Sequence, residues 1–459
     1  MITACSDIPY WNPKNETMPR AALRALQLAK LGRLCEWAAA RSPFHRRRFA
    51  AARFTPAQLR TLDDIRRIPI MTREEWMESQ AEAPPYGDLL AASPTNAIRY
   101  HITSGSSGRT PIRVLDSTRD WEWGAEMWGY ALWATGIRPT DVVYFAFGYG
   151  SFIGFWGAHY GCEKIGALVI PGGAQSTANR VRQIVETGAT TVLTTPTYAL
   201  RLAQEAAELG VDLARQSRVD KLIVSGEPGG SIASVKRRLE AAWGARCLDV
   251  AGMTEIGTVV MYECAERPGG MHVIEDNVLE ETLHPETGEP VGYEERAERV
   301  VTSFGRGFIP LIRYRTRDMV VKVPHTRCTC GRNTDIYAGG ILGRWDDMKL
   351  VRGTNVYQRS VEQIVREYDA IDEFQIRLWR KDDLRDEITV RVEVKAEREP
   401  EWEGLRESLA AALGAAHEGL RFDVEAVPRG SLPRFELKAK RLVDERGATA
   451  PRGSDREEP

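Results

Sequence analysis

Long apolar runs are missing from this 459-residue chain. No segment of about 18 or more residues is apolar throughout, which argues against a spanning helix. A basic leader with an apolar stretch behind it is missing too. MITACSDIPYWNPKNE does not read as a secretory signal, and the expected compartment is the cytoplasm. Neither sign of charge is in excess: 62 Lys and Arg face 64 Asp and Glu, a formal charge of −2. No global field therefore draws the chain to nucleic acid or to an anionic membrane. Cysteine is sparse, and seven in a chain of this length make no disulfide scaffold. Internal repeats are absent. With 43% hydrophobic residues, what remains is a soluble multidomain protein of a reducing compartment.

What is present changes character along the chain. Leu23, Leu26, Leu31, Leu34 and Trp37 recur near helical spacing and predict one helix over 19–52. Thr55-Pro56 and Thr72, with Glu74 and Glu75, are helix-start signals. From about 97 to 345, short β-rich runs (DVVYFAFG, ALVIP, TTVLTT, KLIVS) alternate with amphipathic helices. That alternation predicts an α/β domain with a doubly wound, largely parallel sheet. After 258 the chain reads as a β-rich subdomain. Residues 346–446 read as a small, separate α+β domain. Residues 447–459 hold no core-forming side chains and read as a disordered tail.

Several segments carry chemistry. In Thr103–Pro111 (TSGSSGRTP), two glycines allow a tight turn, and hydroxyls, successive N–H groups and Arg109 suit phosphate oxygens. It is no Walker loop, because no GK[ST] follows. In Asp249–Gly257 (DVAGMTEIG), a hydroxyl beside a carboxylate suits a hydrated Mg²⁺ on a nucleotide. LIRYRTRD reads as a strand ending at an acidic turn, where Asp318 suits a ribose. The glycine-bounded Gly343–Gly353 reads as a hinge, and Gly430–Arg441 is a lysine-rich loop. Cys264, Cys328 and Cys330, with His272 or His325, can close a tetrahedral zinc site. Tyr149, Phe152, Phe155 and Trp156, just beyond a predicted strand, can frame a flat apolar ligand. Taken singly, each segment also fits a plainer role: linker, surface turn, edge strand, solvated loop, unrelated buried thiols or core packing.

The order of the segments resembles the phenylacetate–CoA ligase branch of the adenylate-forming enzymes. YWNPKNETMPR, RSPFHRRRF, HYGCEKIGA and TPTYALRLA are similar to that branch, as are TSGSSGRTP, SGEP, AGMTE, YRTRD, GRWDDM and LPRFELKAKR. The resemblance implies two steps: a carboxylate attacks the α-phosphorus of ATP, and a thiol, usually that of coenzyme A, then displaces AMP. Ser104, Gly105, Ser106, Ser107, Gly108 and Arg109 would hold the phosphates. Gly226, Glu227, Pro228 and Ala251 would flank adenine, with Gly226 also near the acid. Glu255 would hold Mg²⁺, Thr254 would lie near the α-phosphate, and Asp318 and Arg344 would serve the ribose side. Lys438 would reach the carboxylate and α-phosphate, and Asp346 would be the pivot of a mobile C-terminal domain. Lys349 and Arg352 would meet CoA phosphates. The resemblance also implies a structural zinc. Ala251 stands where the family commonly has an aromatic residue. Phe155 and Trp156 stand where glycine is common, so the expected acid pocket, which includes Tyr149 and Phe152, is short and fits a benzoate-type acid as well as phenylacetate. The expected partners are a small aromatic acid, ATP and CoA, with no nucleic acid or membrane, in a monomer or homodimer. The rival reading keeps adenylation and changes the acceptor to an amine or a carrier-protein thiol.

Overall fold

A strand buried on both faces must be apolar at successive positions. Val142–Phe145 meets that demand: Val143 and Phe145 enter one core, while Tyr144 and the following Ala146 enter another. The computed structural model describes residues 8–103, 111–151, 153–381, 385–435 and 440–446. The chain divides into two compact units, Met1–Trp345 and Asp346–Pro459.

The first unit opens with α1 (Pro13–Glu16), α2 (Arg20–Arg41), α3 (Pro43–Ala51) and α4 (Arg73–Glu82). The single helix expected over 19–52 is thus two. Pro43 has no N–H to continue α2, and extended Ser42 restarts the chain by accepting from the His45 N–H. Next, β1 (Arg99–Ile102) and β2 (Arg113–Asp116) form an antiparallel pair, with Ser104–Thr110 between them outside the described residues. After α5 (Thr118–Ala134) come β3 (Val142–Phe145), α6 (Ile153–Ile165), β4 (Leu168–Pro171), α7 (Thr177–Glu186), β5 (Thr191–Thr194), α8 (Pro196–Glu208), α9 (Leu213–Gln216), β6 (Lys221–Val224), α10 (Ala233–Trp243) and β7 (Arg246–Met253). The strands lie parallel in the order β4-β3-β5-β6-β7. Side chains of α5 and α6 pack in the core on one face, and those of α7, α8 and α10 in the core on the other.

The sheet then turns antiparallel through β8 (Thr258–Glu263), β9 (Gly270–Val273), β10 (Val278–Leu283), β11 (Arg296–Ser303), β12 (Leu311–Val323), β13 (Ile336–Ala338) and β14 (Gly343–Arg344). Its order continues β7-β8-β9-β13-β12-β11-β10, with β14 on β12. β12 does not stop at Asp318 as its charged run predicts. Left-handed backbone at Arg313 (φ 48°) and Arg317 (φ 65°) and two register shifts against β11 let the strand run on.

The second unit has β15 (Lys349–Val351), β16 (Thr354–Val356), α11 (Gln358–Val365), β17 (Ile371–Lys381), β18 (Arg385–Val394), α12 (Trp402–Ala416), β19 (Asp423–Ala426) and β20 (Leu442–Asp444). Four of these strands form a sheet in the order β19-β18-β17-β20, over a core of their own that includes Phe374, Ile376, Val390, Leu409 and Leu413. The architecture is therefore a large α/β unit with a doubly wound parallel half and a β-rich half, followed by a small α+β unit.

Candidate functional site

Parallel strands end on one side of a sheet, so the segments that follow them gather there. Tyr149 follows β3, Thr195 follows β5, Ser225–Pro228 follows β6 and Thr254 follows β7. Gly226 has φ +94°, the left-handed backbone that this tight turn after β6 requires. The Thr197 N–H, in the first turn of α8, donates to Glu227 Oε1 at 2.7 Å. A carboxylate at a helix N-terminus is favoured by the helix dipole. Pro228 is exposed and Ala251, on β7, is half-buried.

The turn between β7 and β8 is fixed from below. Arg306 is fully buried, and its guanidinium donates to both oxygens of Asp116 at 2.7 and 2.9 Å. It also donates to the carbonyls of Thr254 (2.9 Å) and Glu255 (3.0 Å). Gly257 leaves room for this: a Cβ there would lie 2.9 Å from the guanidinium carbon. On the turn's other side, Glu255 Oε1 accepts from Arg73 at 2.8 Å and from the Tyr314 hydroxyl at 3.4 Å. Arg73 also donates to Thr103 Oγ1 at 3.1 Å, and Thr103 pairs with Ile112 across the base of the glycine-serine loop. Ser104, Gly105, Ser106, Ser107, Gly108 and Arg109 themselves lie outside the described residues, as do Phe152 and Lys438.

Asp318 sits within β12, opposite Arg344 of β14. Buried Arg299 donates to Asp318 at 3.2 Å and forks onto Glu280 at 2.7 and 2.8 Å. Asp346 lies in the 3₁₀ turn Trp345–Asp347.

Beyond β3 the aromatic side chains gather. Tyr149 bonds His159 Nδ1 through its hydroxyl at 2.9 Å and packs edge-on to Trp156, with centroids 4.8 Å apart. The Trp156 indole donates to the Gly150 carbonyl at 3.0 Å, and buried Phe155 stacks on Phe147. Burial pushes the Tyr149 hydroxyl well above its ordinary pKa.

A separate cluster joins distant segments. The ligand atoms of Cys264, His272, Cys328 and Cys330 all lie within 4.8 Å of one another, and His325 stands outside this group. His272 turns Nε2 to the Cys330 sulfur (3.4 Å) and Nδ1 to the Thr334 carbonyl (3.3 Å). The hydrogen bond with Cys330 and burial push the Cys264 thiol up. The same bond from Cys264, and then His272, hold Cys330 well down against burial.

Of the residues singled out in the sequence, Thr254 and Glu255 share one turn, Asp318 and Arg344 one strand pair, and the four metal candidates one cluster. Arg73, Asp116, Arg299 and Arg306 stand outside those motifs, and Tyr314 lies in YRTRD with no role read for it. The one local signal was Arg306, an arginine between two glycines in an apolar stretch.

Residues 353–446 match the AMP-binding enzyme C-terminal domain family. The phenylacetate-coenzyme A ligase of Thermus thermophilus is 32% identical over 453 residues, 95% of this chain and 99% of that protein. That of Pseudomonas putida is 32% identical over 439 residues, 95% and 97% of the two chains. A crystal structure of 2-hydroxyisobutyryl-CoA ligase in the postadenylation state, in complex with 2-HIB-AMP, has a TM-score of 0.90 at 30% identity, covering 96% of this chain and 94% of that one.

Proposed function

The chain belongs to the phenylacetate–CoA ligase branch of the adenylate-forming enzymes and is an AMP-forming acid–thiol ligase; from that premise we propose that its acid is a small aromatic carboxylate, of the benzoate or phenylacetate type. ATP and coenzyme A are its other substrates. The observation that carries the choice of acid is the gathering of Tyr149, Trp156 and the Phe147–Phe155 stack just beyond β3, on the side of the sheet where the Thr254–Glu255 turn lies. Flat side chains of this kind favour a flat apolar ligand, and Phe155 and Trp156 shorten the room for a spacer.

Adenylation brings a carboxylate and a polyphosphate together, so the chain must neutralise negative charge as it gathers. Ser104–Arg109 would hold the β- and γ-phosphates. Glu255 fits a magnesium ion that accompanies ATP: its carboxylate lies on a fixed turn, beside the base of that loop. Thr254 would lie near the α-phosphate, Gly226, Glu227, Pro228 and Ala251 around adenine, and Asp318 and Arg344 on the ribose side. Lys438 would meet the attacking carboxylate. Residues 1–345 would form the adenylation domain and 346–446 a mobile domain turning at Asp346, with Lys349 and Arg352 toward CoA; 447–459, read as a tail, lie outside the described residues. The cysteine cluster fits zinc. Three sulfurs and an imidazole nitrogen make a closed tetrahedral set, with the second ring nitrogen of His272 oriented by the Thr334 carbonyl. Such a site pins structure and takes no part in the reaction. The reading carries with it a monomer or homodimer in the cytoplasm. No described helix is long and apolar enough to cross a membrane.

The test is pyrophosphate release over a panel of acids, with and without CoA. A benzoate derivative is expected to exceed phenylacetate in kcat/KM, though the missing methylene is worth only about 1–3 kcal/mol. Phe155→Gly is expected to move the ranking toward phenylacetate. Turnover confined to aliphatic acids such as 2-hydroxyisobutyrate would overturn the aromatic reading.

A further inference from the structure

Arg73 has no place in the reading above, yet it touches two of its parts. It begins α4, directly after Thr72. The Thr72 N–H donates to Glu75 at 2.7 Å, and the Glu75 N–H returns to the Thr72 hydroxyl at 3.2 Å. One residue earlier, Met71 is clamped to β12: its N–H donates to the Arg313 carbonyl (2.8 Å), and its own carbonyl accepts from Arg315 (2.9 Å). Tyr314, between those two, also reaches Glu255. The backbone at Arg73 is therefore held at both sides, and only its side chain is free to choose partners. That side chain now forks, with one amino group on Glu255 Oε1 and the other on Thr103 Oγ1, where the glycine-serine loop begins.

This arrangement conflicts with the work assigned to Glu255. A magnesium ion takes carboxylate oxygens at about 2.0–2.1 Å and tolerates little distortion. One oxygen of that carboxylate, Oε1, already serves a guanidinium at 2.8 Å. Two cations on one carboxylate repel each other, so each weakens the other's hold on it. A planar guanidinium has a better alternative once a nucleotide arrives, because phosphate oxygens accept its fork bidentately.

We propose that Arg73 is a positioning residue that exchanges partners: it occupies the Glu255 carboxylate while the site is empty, and passes to the nucleotide's outer phosphates when ATP enters, releasing Glu255 to the metal. The empty site is thereby neutral and poor at binding metal alone, and metal and nucleotide enter together. This rests on the reading of Glu255 as the metal-holding carboxylate.

The test uses calorimetry of the full chain with Mn²⁺ alone, and with ATP in the presence of EDTA. In Arg73→Met, Mn²⁺ alone is expected to bind at least about threefold more tightly, because its competitor is gone. Metal-free ATP is expected to bind about tenfold more weakly or worse, because charge-assisted hydrogen bonds are lost. A general structural defect would weaken both, so opposite signs are the signature. Both affinities moving together, or neither moving, overturns the exchange. Should Arg73→Met fail to fold, Arg73→Lys serves: it keeps the charge but cannot bridge Glu255 and Thr103 at once. It should lose ATP affinity and gain Mn²⁺ affinity, each less than expected for Met, and any other pattern overturns the proposal. Glu255→Gln separates the two levels. If it leaves Mn²⁺ binding in the presence of ATP unchanged, the reading of the site fails. If it weakens that binding while Arg73→Met changes nothing, only the exchange fails.

Discussion

At the scale of single residues, two buried arginines, Arg299 and Arg306, hold the segments that carry the site. Burial pushes the Asp116 carboxyl up despite the pull of Arg306, so this pair is not a large net source of stability. What it supplies is position: the end of β2 and the turn bearing Thr254 and Glu255 share one guanidinium. Breaking such a pair is costly where forming it is not, because one charge stays buried alone. Arg306→Met is expected to lower unfolding free energy by about 3–5 kcal/mol in urea titrations. Adding Asp116→Asn should recover part of that loss, and a double variant no better than the single would contradict the pairing. This residue also marks a limit of sequence reading. Thr254, Glu255 and Asp318 were legible because each sits in a short motif beside its neighbours. Arg306 and Asp116 stand 190 residues apart, and no local spacing announces which carboxylate a buried arginine will find. The same holds for Arg73 and Glu255, 182 apart.

Elements behave likewise. The parallel strands were visible as apolar runs bounded by turns, since burial on both faces leaves a plain trace. The break between α2 and α3 was missed although Pro43 stands in the sequence, because the apolar spacing runs across it. The course of β12 was cut short at Asp318 because bulges conceal alternation. Position is shared between elements at the cysteine cluster. Cys264 follows β8, His272 lies in β9, and the Cys328–Cys330 segment approaches from beyond β12. The lead-in around α1 rests on that segment. The Tyr10 hydroxyl donates to the Cys330 carbonyl at 2.9 Å, and Arg332 pairs with Glu16 at 2.6 Å. One zinc per chain is expected in freshly purified protein by elemental analysis. Its removal with a strong chelator, or Cys328→Ser, should lower the thermal midpoint, because structural metal binding is folding energy. Amide exchange should quicken first at 328–335 and 10–17. Pyrophosphate release at low temperature should persist, because four protein ligands leave the metal no open position. Absence of zinc from fresh protein would remove this role, and abolished pyrophosphate release in still-folded protein would show that the metal does more than pin.

On the scale of the whole molecule, the reaction asks two different things of one chain. Adenylation needs a cation on the carboxylate and α-phosphate; the second step needs that same space for a thiol. The small unit has its own sheet and its own core, as the proposed motion of a separate body requires. The family match over residues 353–446 lies wholly within it. Its boundary falls at Trp345–Asp346, between Gly343 (φ +144°) and Gly353 (φ +87°), both in backbone that favours glycine. Two variants should therefore separate the half-reactions. If Lys438 is the cation proposed for adenylation, Lys438→Ala removes charge needed only while negative charge gathers, and pyrophosphate release should fall by about 10²–10³. Thioester formation from supplied acyl-adenylate should stay within a few-fold of the unmodified enzyme. Asp346→Pro would stiffen the proposed pivot by fixing φ near −65°, so its defect should be the reverse. Adenylate should form at nearly the normal rate while transfer to CoA slows by roughly tenfold or more, as expected where a hinge gates the step. Single-turnover measurements of pyrophosphate and thioester resolve the two. If Lys438→Ala kept adenylation within a few-fold, the lysine would be misassigned and exposed Lys440 would be the first replacement to try. If Asp346→Pro slowed both steps alike, the pivot would lie elsewhere in the Gly343–Gly353 segment.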